Sequence, residues 1–540
     1  MSQSKGAFEG LLSRYFEKLL ADDPILATVS AGLSSGEGKL GTMGARFQNK
    51  RERERQLTLA ALDKQSPREL SGEQQIDRLA LRSKLLKECD DFARGRHTLE
   101  PNAPEQLLGI LFHELRRGQD HPQRAARNLR SLLGAAPDFL AEAGELLVRP
   151  EAVWLRVMEQ TVAGAEALLK GVAEFLGPTS AVTGGSERIA AAVGGVMKAL
   201  QRYRDHARGL PLAPAGSFAI GATGLQRRVQ DELGLDYTLG QIETLALREV
   251  QRIGELLKQA CSRFGRGRSA DAIIKEARAS WKPERPLVEL YKAETSRIAQ
   301  AFQAARAVSF PPGEELQVRP VPDFLRALIP TAAYTQPGAF AREQVGVFWV
   351  NDLSVIKHGT AEKLAEQRQH FGIPLTCAHE AYPGHHLQFA TANRHPRKWR
   401  RLFAHAVFYE GWTLWCEQMM VDLKIDRSPW LRVQQLHDAL WRCHRILVDL
   451  RLQTRRYSYG QAVAHLQRHV GFTRARAEAD VNWYTAQPGV PMSYWLGRLE
   501  NERLYRRLVV GRRWNLKRFN DWLLSFGTVP QGWIEKYGLD

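Results

Sequence analysis

The 540-residue sequence contains only five cysteines, and no two of them form a C-x-x-C pair. Cys89, Cys261, Cys377, Cys416 and Cys443 are scattered and odd in number, which argues against a disulfide framework and against a thiolate zinc site. Free thiols in a reducing compartment are expected. No stretch approaches the roughly 18 uncharged apolar residues of a membrane-crossing helix. The start, MSQSKGAFEGLLSRYF, lacks the charged-then-apolar pattern and cleavage site of a secretory leader. The expectation is a soluble, cytoplasmic protein with no membrane partner. No fixed-period repeat is present, which argues against a solenoid. Acidic charge is in deficit, 59 acidic residues against 76 basic ones for a net +17. The basic clusters HPRKWRRL and RLYRRLVVGRRW lie within helical apolar patterns, and no recognised nucleic-acid motif accompanies them. They are therefore read as solvated helix faces, with no specific nucleic-acid partner.

What is abundant is helical periodicity. GLLSRYFEKLLADD, QQIDRLALRSKLLKECDDFARG, NLRSLLGAAPDFLAEAGELLV and LREVQRIGELLKQACSRFG are apolar at three- and four-residue intervals and bounded by Gly, Pro or Asp. Between about 308 and 354 the texture changes to proline- and glycine-rich sequence with short β-type runs at LQVRPV and VGVFWVN. These patterns predict a mainly α-helical protein: an N-terminal helical half over 1–310, then a small sheet and a helical catalytic half over 311–540. The two halves are expected to enclose a cleft, with the sheet beside the active site.

The chemistry centres on HEAYPGHH, His379 to His386. A zinc-hydrolase helix places two histidines four apart, on one face. Here the second is six positions on, and about 100° of turn per residue would leave His379 and His385 some 120° apart. Pro383 lacks the N–H that would bond the carbonyl of His379, and its ring clashes with that carbonyl. Gly384 tolerates unusual φ/ψ. If two residues loop out at this point, His385 drops to where the second ligand normally stands.

A catalytic zinc wants three protein ligands and one open position. Downstream, FYEGWTLWCEQMM carries two acids among apolar residues, Glu410 and Glu417, seven apart and so nearly on one face. Glu410 follows His385 at the distance of a helix, a turn and an antiparallel return.

The pattern H-E-x-x-P-G-H-H-x-Q (His379, Glu380, Pro383, Gly384, His385, His386, Gln388) with E-G-W-x-x-W-x-E (Glu410 to Glu417) resembles the DUF885 family, grouped with the gluzincin metallopeptidases. The resemblance continues in VDLRLQTRRYSYGQAVAHL, EADVNWYTAQPGVPMSYWLG and FNDWLLSFGTVPQGW, covering roughly residues 330 to 535. The E-x6-E helix is also similar to that of thimet-oligopeptidase-like and carboxypeptidase-Taq-like enzymes, which implies Glu410, ahead of Glu417, as the third ligand. Where the family has D-x-G-x-H this chain has Asp449, Arg451 and Gln453, and where it has P-G-Q-A-x-x-Y it has Pro488, Gly489, Val490, Pro491 and Tyr494.

The resulting expectation is a zinc-dependent peptidase acting on short peptides or related amides. Zn2+ would be held by His379, His385 and Glu410, with Glu380 as general base. Glu417 is expected to orient a ligand histidine, and His386 to stand in the second shell. Tyr484 or Tyr494, at family positions, would meet the oxyanion, and the free edge of VGVFWVN could pair with an extended substrate. The rivals are a metal-dependent enzyme with another substrate class and a catalytically silent helical protein that binds through its basic surface.

Overall fold

The computed structural model describes residues 2–177, 185–321, 329, 331–353, 356, 359–511 and 513–539, the side chains of 2–5 excepted. It is mainly α-helical with one small three-stranded sheet, as the periodicity predicts. None of its described helices is long and apolar enough to cross a membrane. Backbone contacts separate two units: Met1–Phe218 with Gly338–Arg342, and Ala219–Val321 with the described residues of Ile329–Pro337 and Glu343–Asp540. The helices between 221 and 304, which sequence texture groups with the N-terminal half, belong by contact to the second unit.

The first unit is built from long amphipathic helices. In Pro122–Leu146 the buried residues Leu129, Leu132, Leu133, Ala136 and Leu140 recur at three- and four-residue intervals, so one stripe faces the core. Gly72–Ala93 starts at Ser71, whose side chain accepts from the Gln74 amide while the Gln74 side chain accepts from the Ser71 amide. This reciprocal cap satisfies two otherwise orphan N–H groups.

The second unit holds the sheet and every residue of the HEAYPGHH and EGWTLWCE segments. Its strands are β1 (Glu315–Pro320), β2 (Ala332–Thr335) and β3 (Val345–Val350). Two of them are the β-type runs of the sequence, whereas β2, AAYT, is too short for alternation to reveal it. The order is β1-β3-β2, with β1 parallel and β2 antiparallel to β3. This corrects one expectation: 345–350 is the central strand, paired on both sides, and has no free edge for a substrate. The edges belong to β1 and β2.

Helix Ala406–Asp422 is buried along most of its length. It crosses helix Val490–Tyr505 where Gly411 meets Gly497: a β-carbon on Gly411 would stand 2.5 Å from the Gly497 backbone, and one on Gly497 would stand 1.9 Å from the Val407 carbonyl oxygen. The two helices touch backbone to backbone, which brings Glu410 to Tyr494. Apolar residues of the helices around them, including Ile242, Ile253, Leu436, Ile446 and Trp495, form a continuous buried cluster. All five cysteines are free.

Burial holds His370, His395 and His444 down to about 4. In the unfolded chain these imidazoles protonate near pH 6.5. Between that pH and about 4 the unfolded state binds protons that the native state refuses, so their contribution to stability is complete above pH 6.5 and is lost as pH falls. Their share of the thermal midpoint should be flat above about pH 7 and decline from about 6.5 towards 4, each histidine contributing about 1.4 kcal/mol per unit of pKa difference, so replacing one of them with a neutral residue should flatten the profile over that range. A calorimetric pH series checks this.

Candidate metal centre

The segment His379 to His386 is two helices separated by a break. Helix Ile373–Glu380 ends as the amides of Ala381 and Tyr382 both return to the Cys377 carbonyl, at 2.9 and 3.1 Å, and helix His385–Ala392 begins past a cis Tyr382–Pro383 peptide. Glycine at 384 serves the reason expected and a second one. Its φ/ψ of −69°/−137° lie outside both the helical and the extended region, and a β-carbon there would stand 1.8 Å from the His379 carbonyl oxygen and 2.3 Å from its carbon. The chain doubles back so tightly that only a bare α-carbon fits. The break is pinned from the neighbouring helix by the Trp412 indole, whose N–H donates to the Pro383 carbonyl at 2.8 Å.

The fold brings His379 and His385 together, with ring centroids 5.0 Å apart. Oε2 of Glu410 lies 3.8 Å from Nε2 of His379 and 3.7 Å from Nε2 of His385. This oxygen is buried and has no hydrogen-bond partner. Glu380 is in the same group: one ligand atom each from His379, Glu380 and His385 all lie within 4.8 Å of one another. Either carboxylate could complete a set with the two imidazoles. The partnerless oxygen of Glu410 is nearly equidistant from both Nε2 atoms, at a spacing somewhat above the roughly 3.3 Å between donors on a tetrahedral zinc with bonds of about 2.0–2.1 Å.

Glu417 meets Nδ1 of His379 at 2.7 Å, a contact that orients the ring and leaves Nε2 on the side of Glu410, 3.8 Å from its Oε2. Nδ1 of His385, by contrast, is buried without a partner. The electrostatics of the group are strained. Burial raises the pKa of Glu380, and the charge of Glu417 adds to the effect against the opposing influence of His379. Burial also raises the pKa of Glu410, against the pull of His379 and of a hydrogen bond from Tyr494. Burial and then the charge of His379 lower His385 well below the imidazole range. His379 goes the other way: burial disfavours its charge, but the Glu417 hydrogen bond and the surrounding carboxylates outweigh it. A divalent cation among these groups would relieve both carboxylates at once.

The remaining residues singled out from the sequence are distributed as follows. His386 is fully buried and faces the sheet: Nε2 meets Glu314 at 2.6 Å and Nδ1 meets the Tyr334 hydroxyl at 3.1 Å. A β-carbon on Gly346 of β3 would stand 2.4 Å from that Nδ1, so the ring occupies a notch that the glycine opens. Tyr494 borders Glu410. Tyr484 is not brought to the cluster: its hydroxyl donates to Asp480 at 2.9 Å and accepts from Arg445 at 3.1 Å. Gln453, where the resembling family has histidine, is fully buried in a structural tie, accepting from the Ile220 amide at 3.2 Å and donating to the Tyr484 carbonyl at 2.9 Å. Val490 opens the helix that carries Tyr494.

Sequence reasoning missed Tyr334 and Glu314. The phenol of Tyr334, on β2, is held well above its usual range by burial and then by the charges of Glu380 and Glu314. Tyr382 donates to Glu314 at 2.7 Å. Neither Tyr334 nor Glu314 stands in a recognisable spacing with the histidines, and only the sheet brings them in.

A family model described as "Bacterial protein of unknown function (DUF885)" matches residues 24–536. No curated protein matches the chain. Among solved structures, "The structure of a putative lipoprotein of unknown function from Shewanella oneidensis" superposes with a TM-score of 0.77 at 17% identity, over 99% of this chain and 100% of that one. "The crystal structure of the putative lipoprotein from Colwellia psychrerythraea" gives 0.77 at 18%, over 99% and 98%. At such identities the likeness is one of fold.

Gly384→Ala places a methyl group into backbone that cannot rotate away. It should destabilise the protein by more than about 2 kcal/mol, the scale of strain at a site with no room to relax. It should also weaken divalent-cation binding although no ligand is replaced. Chemical denaturation and a zinc titration of the same variant measure the two effects.

Proposed function

Taking as premise that this chain belongs to the DUF885 family, we propose that it is a zinc-dependent peptidase of gluzincin type, acting on short peptides or related amides. The observation that carries this reading is the partnerless, buried Oε2 of Glu410, set within 3.8 Å of the Nε2 atoms of two histidines. His379, His385 and Glu410 would hold the ion, three ligands that leave a position open. Bound there, zinc supplies Lewis acidity towards the scissile carbonyl and lowers the pKa of a water.

The chain's own groups do the rest. Glu380 sits next to the first ligand, with its carboxyl pushed upwards by burial, and in this reading takes the proton of the attacking water and passes it to the leaving nitrogen. Glu417 holds the His379 ring through Nδ1. Tyr494 steadies the Glu410 carboxylate and, with Tyr334 beside Glu380, offers a hydroxyl at the border of the site. Tyr484, engaged with Arg445 and Asp480, supports the helix carrying it.

The test separates ligand from base. Glu410→Gln should lose bound metal together with the thermal stability that binding contributes by mass action. Glu380→Gln should keep near-stoichiometric metal while turnover drops by something on the order of 10²–10⁴. Glu417→Gln should weaken metal affinity by about 10–100-fold, as loss of a ligand-orienting partner does. Metal content and peptide-library hydrolysis are measured side by side. If Glu417→Gln empties the site and Glu410→Gln does not, the ligand is one helical repeat along. Absence of metal from the parent and all variants removes the peptidase reading.

A further inference from the structure

Arg445, on helix Pro429–Gln453, is only 6% exposed. A guanidinium withdrawn from water needs acceptors for its N–H groups, and the protein supplies few. Nε donates to the Tyr484 hydroxyl at 3.1 Å. The Asp480 carboxylate stands 3.8 Å from Nη2, beyond hydrogen-bond reach. Its Oδ2 is already taken by the Tyr484 hydroxyl at 2.9 Å and the Trp441 indole at 3.1 Å. The other neighbours are rings: Trp441, Tyr494 and Trp483 lie with their centroids 4.0, 4.7 and 5.4 Å from Cζ. They attract the cation but accept no strong hydrogen bond from it. Among the described residues neither Nη1 nor Nη2 has an acceptor, yet both remain reachable by solvent.

The cage around this cation shares one member with the metal centre. Tyr494 lies against the guanidinium with its ring and hydrogen-bonds Glu410 with its hydroxyl. Burial raises the pKa of Glu410, and the charge of Arg445 is among the influences that oppose the rise. A held cation with two unused donors therefore stands one phenol ring away from Glu410. One or two residues of extended chain, at about 3.3–3.6 Å each, bridge such a span.

On the peptidase reading, we propose that Arg445 receives the α-carboxylate of the substrate's C-terminus, so that the metal centre removes one or two residues from that end. The terminal nitrogens of a guanidinium match the two oxygens of a carboxylate in parallel. The aromatic walls already hold the fork in place, so little side-chain freedom is lost on binding. Selectivity comes from charge: a chain interior or a neutral end laid over Arg445 would cover the cation without pairing it. Water adds across the scissile amide, and the released amino acid or dipeptide carries the new amine at one end and the carboxylate held by Arg445 at the other.

The experiment compares octapeptides bearing a free C-terminal carboxylate with the same octapeptides as carboxamides, incubated with the zinc-loaded chain and read by mass spectrometry. The free acids should be shortened first by one or two C-terminal residues, and the carboxamides should show a kcat/KM at least about tenfold lower, carried by KM. Arg445→Lys keeps the charge and loses the planar fork; it should narrow that ratio by raising KM for the free acids, with bound zinc unchanged. Equal cleavage of the two forms, or a first cut in the interior, overturns the proposal and leaves the peptidase reading standing. This comparison needs no variant, so poor folding of Arg445→Lys does not blunt it. A ratio that a folded Arg445→Lys chain preserves also overturns the proposal. If no peptide is cleaved, the peptidase reading fails, and isothermal titration of the zinc-loaded chain with N-acetyl-trialanine and its carboxamide decides the rest. Equal affinity, or no binding of either, removes the carboxylate site, whereas tighter binding of the acid that Arg445→Lys abolishes upholds it.

Discussion

Gly384 lies with its α-carbon against the carbonyl group of His379, at a separation that admits no side chain, and the arrangement of the histidine–carboxylate cluster depends on that contact. Had the helix of His379 continued, His385 would point about 120° away from it. The doubled-back chain instead starts a second short helix at His385 and turns its ring towards His379. The same economy recurs at Gly411 and Gly497, where two helix backbones touch and bring Glu410 and Tyr494 to one place. Two close approaches of bare backbone thus assemble groups from three segments.

Much of this was legible because it is local. Helical stripes, the strands at 315–320 and 345–350, and the grouping of His379, Glu380, His385, Glu410 and Glu417 all follow from spacings within a few turns of chain or from a specific paired motif. The need for glycine at 384 was legible too, in its unusual φ/ψ, although the close approach of backbone was not. Glycine's torsional freedom is an attribute of the residue and can be read from sequence, whereas a 1.8 Å collision of a β-carbon belongs to two pieces of backbone and cannot.

What was not legible is what the sheet decides. β2 is four residues long and carries no alternation of its own, so neither its existence nor the central position of β3 could be read. With β2 unseen, Tyr334 had no reason to be placed beside His386, and Glu314, just ahead of β1, reaches it only through tertiary packing. Tyr484 failed for a related reason: a tyrosine at a promising position on a helix can turn towards a site or away from it, and here a buried Arg445 stacked on Trp441 and Tyr494 draws its hydroxyl the other way. Burial of a cation demands partners, and that demand is invisible until the helices are packed.

The contact between Gly411 and Gly497 has a mechanical consequence. Side chains between helices act as compliant spacers, because a rotamer change or a small tilt absorbs displacement before it reaches the far side. Here there is no spacer. A sliding or twisting of helix Val490–Tyr505 presses directly on the carbonyl of Val407 and on Gly411, one residue from Glu410. The junction is stiff, with little slack between the position of one helix and the aim of a carboxylate on the other. Stiffness of this kind keeps donor atoms in register against thermal jostling, and it also makes the centre a gauge of distortion anywhere along the helix behind it.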